Sequence, residues 1–235
     1  MPHCIICNET INAWVPHPEI TQRSEFCKLI NAVGSDLAVY QCPRCGCNDR
    51  DRHLWHYLNA IGAIENIPKC RILHIAPEIH IEQLIEKLEP QLYMRGDLFP
   101  KKSIHVKLDV ELLPYEDETF DLIICNHVLE HVSLPAVAVS EFHRCLSQSG
   151  LLVAQTPYSP MLKNTFELTQ TPSPAFAKLF FGQDDHVRMF GSDISQLFTR
   201  AGFKGEILPH SIVLSELNAA EAGVNASEGF FAFTK

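Results

Sequence analysis

The chain has no apolar run close to the roughly 18 residues that a membrane-spanning helix needs, so such a helix is excluded. Basic residues are in short supply: 19 Lys and Arg stand against 28 Asp and Glu, a net charge of -9 with the 12 histidines counted neutral. That deficit argues against charge-driven binding to nucleic acid or to an anionic membrane surface. No internal repeat, low-complexity tract or Gly/Ser linker is present. The opening Met1-Pro2-His3-Cys4 lacks the basic and apolar regions of a secretory signal, and a cytoplasmic location is expected. What is left is ordinary globular composition, 46% hydrophobic and 20% charged over 235 residues. A chain of that length can bury about 70–75% of its unfolded surface around a sizeable core.

Cysteine, by contrast, is plentiful: nine residues, an odd number. In a reducing compartment clustered cysteines point to metal before disulfides. Cys4-Ile-Ile-Cys7 and Cys42-Pro-Arg-Cys45 form two Cys-x-x-Cys hooks, each able to place two thiolates on one Zn²⁺. The residues after the second cysteines, Asn8 and Gly46, tolerate the left-handed backbone of a tight metal turn. A closed structural zinc site of Cys4, Cys7, Cys42 and Cys45 is therefore expected, with Cys47 an alternative to Cys45. Cys27, Cys70, Cys125 and Cys145 lie in apolar or helical surroundings and read as core thiols.

Residues 1–49 form this zinc-ribbon-like module, and 50–235 a second domain. Leu54, Trp55, Leu58 and Ile61 have helical spacing, as do Ile81, Leu84, Ile85 and Leu88. Strands are expected at Arg71–Ile75, Gln91–Arg95, Ile104–Leu108, Phe120–Cys125, Leu151–Gln155, Glu206–Leu208 and Phe230–Thr234. Helices are expected near Ala136–Leu146 and after Ser192. The alternation predicts an α/β, doubly wound, mostly parallel seven-stranded sheet. The stretch 157–191, broken by Pro157, Pro160, Pro172 and Pro174, is expected to be an irregular lid or substrate loop.

In such sheets ligands lie beyond the carboxyl ends of the strands, where strand order reverses. Those ends carry His74-Ile-Ala76-Pro77-Glu78, Asp97-Leu98, Asp109-Val110 and Asn126-His127. Asp97 is placed to accept both hydroxyls of a ribose; Asp109 can accept from an adenine amine and the Val110 N–H can donate to a ring nitrogen. An adenosine-containing ligand suits this set.

The stretches Leu73-His-Ile-Ala-Pro-Glu78, Asp97-Leu98, Asp109-Val-Glu-Leu-Leu-Pro114, Phe120 to His131 and Gly150-Leu-Leu-Val, in that order, resemble the class I S-adenosylmethionine-dependent methyltransferases. The likeness is greatest to bacterial members with an N-terminal cysteine module ending in Cys-Pro-x-Cys-Gly, an Arg-x-Arg like Arg50-Asp-Arg52, and a later stretch like Gly182-Gln-Asp-Asp-His186-Val-Arg188. The resemblance implies a Rossmann-like fold and S-adenosylmethionine as cofactor, held by His74, Ala76, Pro77, Glu78, Asp97, Leu98, Asp109, Val110 and Asn126. It also implies a small-molecule or glycan acceptor.

The sequence departs from that family at the first loop, where an acidic residue and Gly-x-Gly are usual. His74 stands at the acidic position, and Ala76 and Glu78 at glycine positions. Glu78 either supplies the missing carboxylate or closes the pocket, in which case the domain is inert and the cysteine module serves interactions. His127 and His186 are the candidate catalytic bases, since an imidazole titrates near working pH. Alternatively His127 caps a helix beginning near Leu129 and His186 pins the lid. His127-Val-Leu-Glu130-His131 also fits the H-x-x-E-H pattern of some zinc peptidases, but that chemistry needs both histidines on one helical face. An RNA methyltransferase is a further alternative, weakened by the acidic total.

Overall fold

The computed structural model describes residues 1–235, apart from the side chain of Gln22. The first part carries β1 (His3–Cys4), β2 (Glu9–Thr10) and α1 (Glu25–Leu29). Then come α2 (Asp49–Ala60), α3 (Ala63–Asn66), β3 (Arg71–Ile75), α4 (Ile79–Lys87), β4 (Leu92–Asp97), β5 (Val106–Lys107), β6 (Phe120–Cys125), α5 (Pro135–Cys145) and β7 (Leu146–Val153). The last part holds β8 (Phe166–Glu167), α6 (Pro174–Phe180), β9 (Arg188–Met189), α7 (Ile194–Arg200), β10 (Lys204–Leu208), α8 (His210–Val213), α9 (Ala219–Ala222) and β11 (Phe230–Thr234). Among the described residues no helix is long and apolar enough to cross a membrane.

Seven strands form the main sheet in the order β10-β11-β7-β6-β3-β4-β5. β3 pairs in parallel with β4 and β6, and β6 with β7, while β11 runs antiparallel to both β7 and β10. Strand order reverses at β3, whose neighbours lead outward on one side to β4 and on the other to β6. This is the doubly wound, Rossmann-like arrangement that the alternation predicts.

The near-continuous apolar strands follow from burial on both faces. Leu73 and Ile123 point into a core with Phe142, Phe198 and Phe233, whereas Ile72 and Leu122 join Leu54, Tyr57, Leu58, Ile81 and Ile85 on the other face. Each fully buried aromatic or aliphatic side chain there contributes about 1.5–3 kcal/mol. At the amino end of the sheet Arg71 grips Asp121 in a forked pair, Nε to Oδ2 at 2.9 Å and Nη2 to Oδ1 at 2.7 Å, which registers β3 against β6.

Several local expectations shift. Only Val106–Lys107 of the third strand pairs, since Lys101–His105 are taken up by a turn and exposed Ile104 has no sheet partner to pack on. β7 starts at Leu146, opposite Phe120, and skips to Leu151 opposite Leu122, so an irregularity absorbs Ser147–Gly150. No helix begins near Leu129: residues 129–131 are a turn, and α5 starts at Pro135, whose fixed φ suits a first helical turn. The stretch 157–191 is more ordered than its prolines imply, with β8 and β9 paired around α6.

The N-terminal segment is welded to the sheet domain. Asn48 and Asp51 form a reciprocal capping box that starts α2. One turn on, the wholly buried Arg52 guanidinium donates to the carbonyls of Cys47 at 2.9 Å and Gly223 at 2.7 Å, and lies 4.0 Å over the Trp14 ring. Gly223 itself has φ +65°, and a Cβ there would stand 2.3 Å from a Trp14 ring carbon. Gly223→Ala is therefore expected to cost about 2–4 kcal/mol, overpacking added to left-handed strain. Urea unfolding checks it: the midpoint should fall with an unchanged slope.

Candidate functional site

At the carboxyl end of β3, Ala76 adopts φ +47°, the left-handed conformation that a glycine would take freely, and its N–H donates to the Gly96 carbonyl at 2.7 Å. The chain then passes Pro77 and enters α4 at Glu78. His74 is completely buried, with Nδ1 2.8 Å from the Tyr93 hydroxyl and Nε2 2.8 Å from Glu78 Oε2. The other Glu78 oxygen accepts from Asn126 Nδ2 at 3.2 Å, and Asn126 Oδ1 accepts from the Gln155 N–H at 3.0 Å. Burial works against the charge on Glu78, but the imidazole of His74 holds its carboxyl below the usual range. A carboxylate thus stands at the mouth of the first loop, braced from two strands.

Glu78, Asn126 and His127 share a recess with Arg50, His53 and Glu228. His53 is buried between Glu228 Oε2, 2.8 Å from its Nδ1, and His210 Nδ1, 2.8 Å from its Nε2. Arg50 and His127 also line a cavity of about 540 Å³, whose other walls include His17, Tyr40, Phe181 and His186. The two spaces therefore have Arg50 and His127 in common.

Asp97, Leu98, Asp109 and Val110 line neither space. They lie where β4 and β5 leave the sheet, tied by Asp97 pairing with Lys107 and by the Leu108 N–H donating to the Asp97 carbonyl at 2.9 Å. Asp97 Oδ1 accepts from the Phe99 N–H at 2.8 Å and Asp109 Oδ1 from the Glu111 N–H at 2.9 Å. Leu98 is exposed and Val110 buried.

His127 takes φ +53°, and its N–H donates to the Gln155 carbonyl at 2.7 Å. Its Nδ1 lies 3.6 Å from Glu130 Oε1, too far for a hydrogen bond. Glu130 is buried; its Oε2 accepts from the Thr156 hydroxyl at 2.8 Å. Burial would push its carboxyl up, yet His127, His186 and His131 around it bring it down to about 2. His186 is also buried and donates from Nδ1 to the Phe181 carbonyl at 2.8 Å, while burial lowers its pKa and favours the neutral ring. Sequence reasoning singled out His127 and His186; the intervening Glu130 and His131 came into view only through the peptidase-like pattern. Arg50, His53 and Glu228 need the fold to bring them together, although the Arg-x-Arg signal pointed at the first.

The sulfurs gather near the N-terminus, but the four that are mutually close include Cys47 where the two hooks lead one to expect Cys7. Cys4, Cys42, Cys45 and Cys47 have Sγ atoms all within 4.8 Å of one another, and Cys7 Sγ lies 3.9 Å from that of Cys42. Cys4 is 3.8 Å from Cys45 and 3.5 Å from Cys47. Four thiolates about 2.3 Å from a tetrahedral zinc would be about 3.8 Å apart, so the spacing fits that ion. The hydrogen bond from Cys47 draws the Cys4 thiol down to about 4 while the Cys47 thiol is pushed up. Asn8 and Gly46 have φ +59° and +80°, and each closes its hook through an N–H to the carbonyl of the first cysteine, at 2.8 and 3.0 Å.

A family profile described as a methyltransferase domain matches residues 23–206. A demethylmenaquinone methyltransferase of Staphylococcus haemolyticus is 30% identical over 115 residues, 43% of this chain and 48% of the relative. The chain thus spans about half the length of that curated relative. Among solved structures, an S-adenosylmethionine-dependent methyltransferase of Mesorhizobium loti superposes with a TM-score of 0.51 at 14% identity, covering 77% of this chain and 98% of the other. One from Archaeoglobus fulgidus gives 0.50 at 13% identity, covering 78% and 94%. At such identities the structures speak for the fold alone. The profile, which takes in well over half of the residues, shows that this chain belongs to the methyltransferase domain family.

Proposed function

We propose that the chain is an S-adenosylmethionine-dependent methyltransferase acting on a small-molecule or glycan acceptor. One observation carries the reading: a recess at the switch point of the sheet shares the Arg50 and His127 walls with a cavity of about 540 Å³. That volume is of small-molecule size; the recess itself has room for only about 10 Å³, so a methyl donor would enter it with its methyl end alone and there face an acceptor in the cavity. The cofactor, when bound, supplies an activated methyl group on a sulfonium, so the protein's share is alignment and acceptance of a proton.

In this reading Asp97 takes the ribose hydroxyls, Leu98 covers the base, and Asp109 with the Val110 N–H selects adenine. His74 orients Glu78, whose carboxylate pairs with the α-amino group of the methionine part, and Arg50 faces the α-carboxylate. Asn126 steadies Glu78 from the neighbouring strand. Proton removal from the acceptor belongs to the cluster around His127 and His186. A structural zinc is assigned to Cys4, Cys7, Cys42 and Cys45, because the two hooks fold alike; Cys47, whose sulfur lies within the same cluster and accepts from Arg52 Nη1 at 3.4 Å, is the competing ligand to Cys7.

Glu78→Ala separates a ligand role from a plug. The substitution is expected to weaken S-adenosylhomocysteine binding by about 10- to 50-fold, the worth of one lost charged pair, and to leave adenosine binding within a factor of about two. Calorimetric titration with both ligands measures this. Tighter binding of S-adenosylhomocysteine to the variant would instead identify Glu78 as an obstruction.

A further inference from the structure

The turn after β6 and the segment before β9 bring together donors that methyl transfer alone does not require. Ligand atoms of Glu130, His131 and His186 lie within 4.8 Å of one another, and His127 Nδ1 is 3.6 Å from Glu130 Oε1. Two ring nitrogens are left over: His127 Nδ1 and His186 Nε2 are both buried without a hydrogen-bond partner among the described residues. An unpaired buried ring nitrogen costs free energy unless something occupies its lone pair. For His186 the tautomer follows from its other nitrogen, which donates to the Phe181 carbonyl at 2.8 Å, so Nε2 carries the lone pair. That is the way a metal-bound imidazole is commonly braced. The turn is held rigidly too: Arg188 donates from Nη1 to the Leu129 carbonyl at 3.0 Å and from Nη2 to that of Ser133 at 3.1 Å, and the Val187 N–H donates to the Glu130 carbonyl at 3.0 Å.

We infer that His127, Glu130, His131 and His186 form a second metal site, for a divalent transition cation, in the wall of the acceptor cavity. Three imidazoles and one carboxylate suit Mn²⁺, Fe²⁺, Co²⁺ or Zn²⁺ better than Mg²⁺ or Ca²⁺, which prefer oxygen donors throughout. The peptidase-like H-x-x-E-H spacing is met here by a turn in place of a helix, with His186 arriving from 55 residues further along the chain. His127 and His186 line the cavity, so a cation held there faces the acceptor. The inference rests on the methyltransferase reading for its chemistry and names the acceptor atom as a hydroxyl oxygen. A cation there would occupy the His127 and His186 lone pairs, so the two rings would act on the proton through it: the acidified hydroxyl would lose its proton to water, an oxygen lone pair would form the new bond to the methyl carbon, and the electrons of the breaking S–CH₃ bond would remain on sulfur as S-adenosylhomocysteine.

The 235-residue chain with zinc already in the cysteine cluster is titrated with Mn²⁺, and the free ion is followed by electron paramagnetic resonance. One equivalent should bind saturably, with ¹⁴N modulation of the spin echo from directly bound imidazole. His131 has a partly exposed side chain, so His131→Ala should keep the wild-type melting temperature while weakening Mn²⁺ at least tenfold, and Glu130→Gln should do the same or more. Absence of saturable Mn²⁺ binding by folded protein, absence of ¹⁴N modulation, or equal affinity in His131→Ala would overturn the site. A parallel titration with S-adenosylhomocysteine keeps the two readings apart: Mn²⁺ binding without cofactor binding retains the metal site and defeats the methyltransferase assignment.

Discussion

Cys42→Ser is expected to abolish the zinc binding proposed for the cysteine cluster and to lower the thermal midpoint by about 10–20 °C. The buried Cys42 sulfur lies against that of Cys7 and also accepts the Arg44 N–H at 3.4 Å, so its loss opens one hook and removes a ligand together. Structural zinc is worth about 10–16 kcal/mol in small modules, comparable with the whole stability of a domain. Even a third of that reaching the sheet gives the stated shift, at about 2–4 °C per kcal/mol for a chain of this size. The route is physical: Arg52 links the Cys47 carbonyl to that of Gly223, and the Trp14 indole N–H donates to the Ala220 carbonyl at 3.0 Å. Elemental analysis and calorimetry report both effects. Cys7→Ser should behave like Cys42→Ser, whereas Cys47→Ser should keep about one zinc per chain; the reverse ranking would place Cys47 in the ligand set in place of Cys7.

Asp97→Ala is expected to weaken S-adenosylhomocysteine binding by about 100-fold, close to 2.7 kcal/mol, without changing stability by more than about 0.5 kcal/mol. The carboxylate's one internal bond is to a backbone N–H two residues on, a turn that survives its removal at small cost. Two ribose hydroxyls donating to one charged acceptor account for the size of the loss. Asp109→Ala should cost less, about 5- to 10-fold, because that side chain is exposed and the Val110 N–H remains. Equal, small losses at both positions would mean that the nucleoside is held elsewhere.

Much of the fold was legible because strand burial on two faces leaves an unmistakable trace: Phe120–Cys125 is apolar at every position but Asp121, and Asp121 turns out to hold Arg71. Where pairing depends on neighbours, the trace fails. Ile104–Leu108 has the composition of a strand, yet at the sheet edge only Val106 and Lys107 pair, with the last two residues of β4. The hooks around Cys4 and Cys42 were readable from spacing, but the approach of Cys47 depends on how the chain bends back into α2. The bend at His127 was hidden for another reason: a non-glycine residue at φ +53° follows no composition rule, and it lies just before the turn that carries Glu130 and His131. His186 joins them only through tertiary packing of the segment beneath Phe181.

Methyl transfer by this chain requires that a first loop built with Ala76 and Glu78 still admit the nucleoside cofactor. Calorimetric titration of the 235-residue chain, supplied with zinc, with S-adenosylhomocysteine asks this most directly. One site per chain with a dissociation constant on the order of micromolar, weakened by Asp97→Ala, is the predicted result. No heat at millimolar ligand from a folded protein would contradict it.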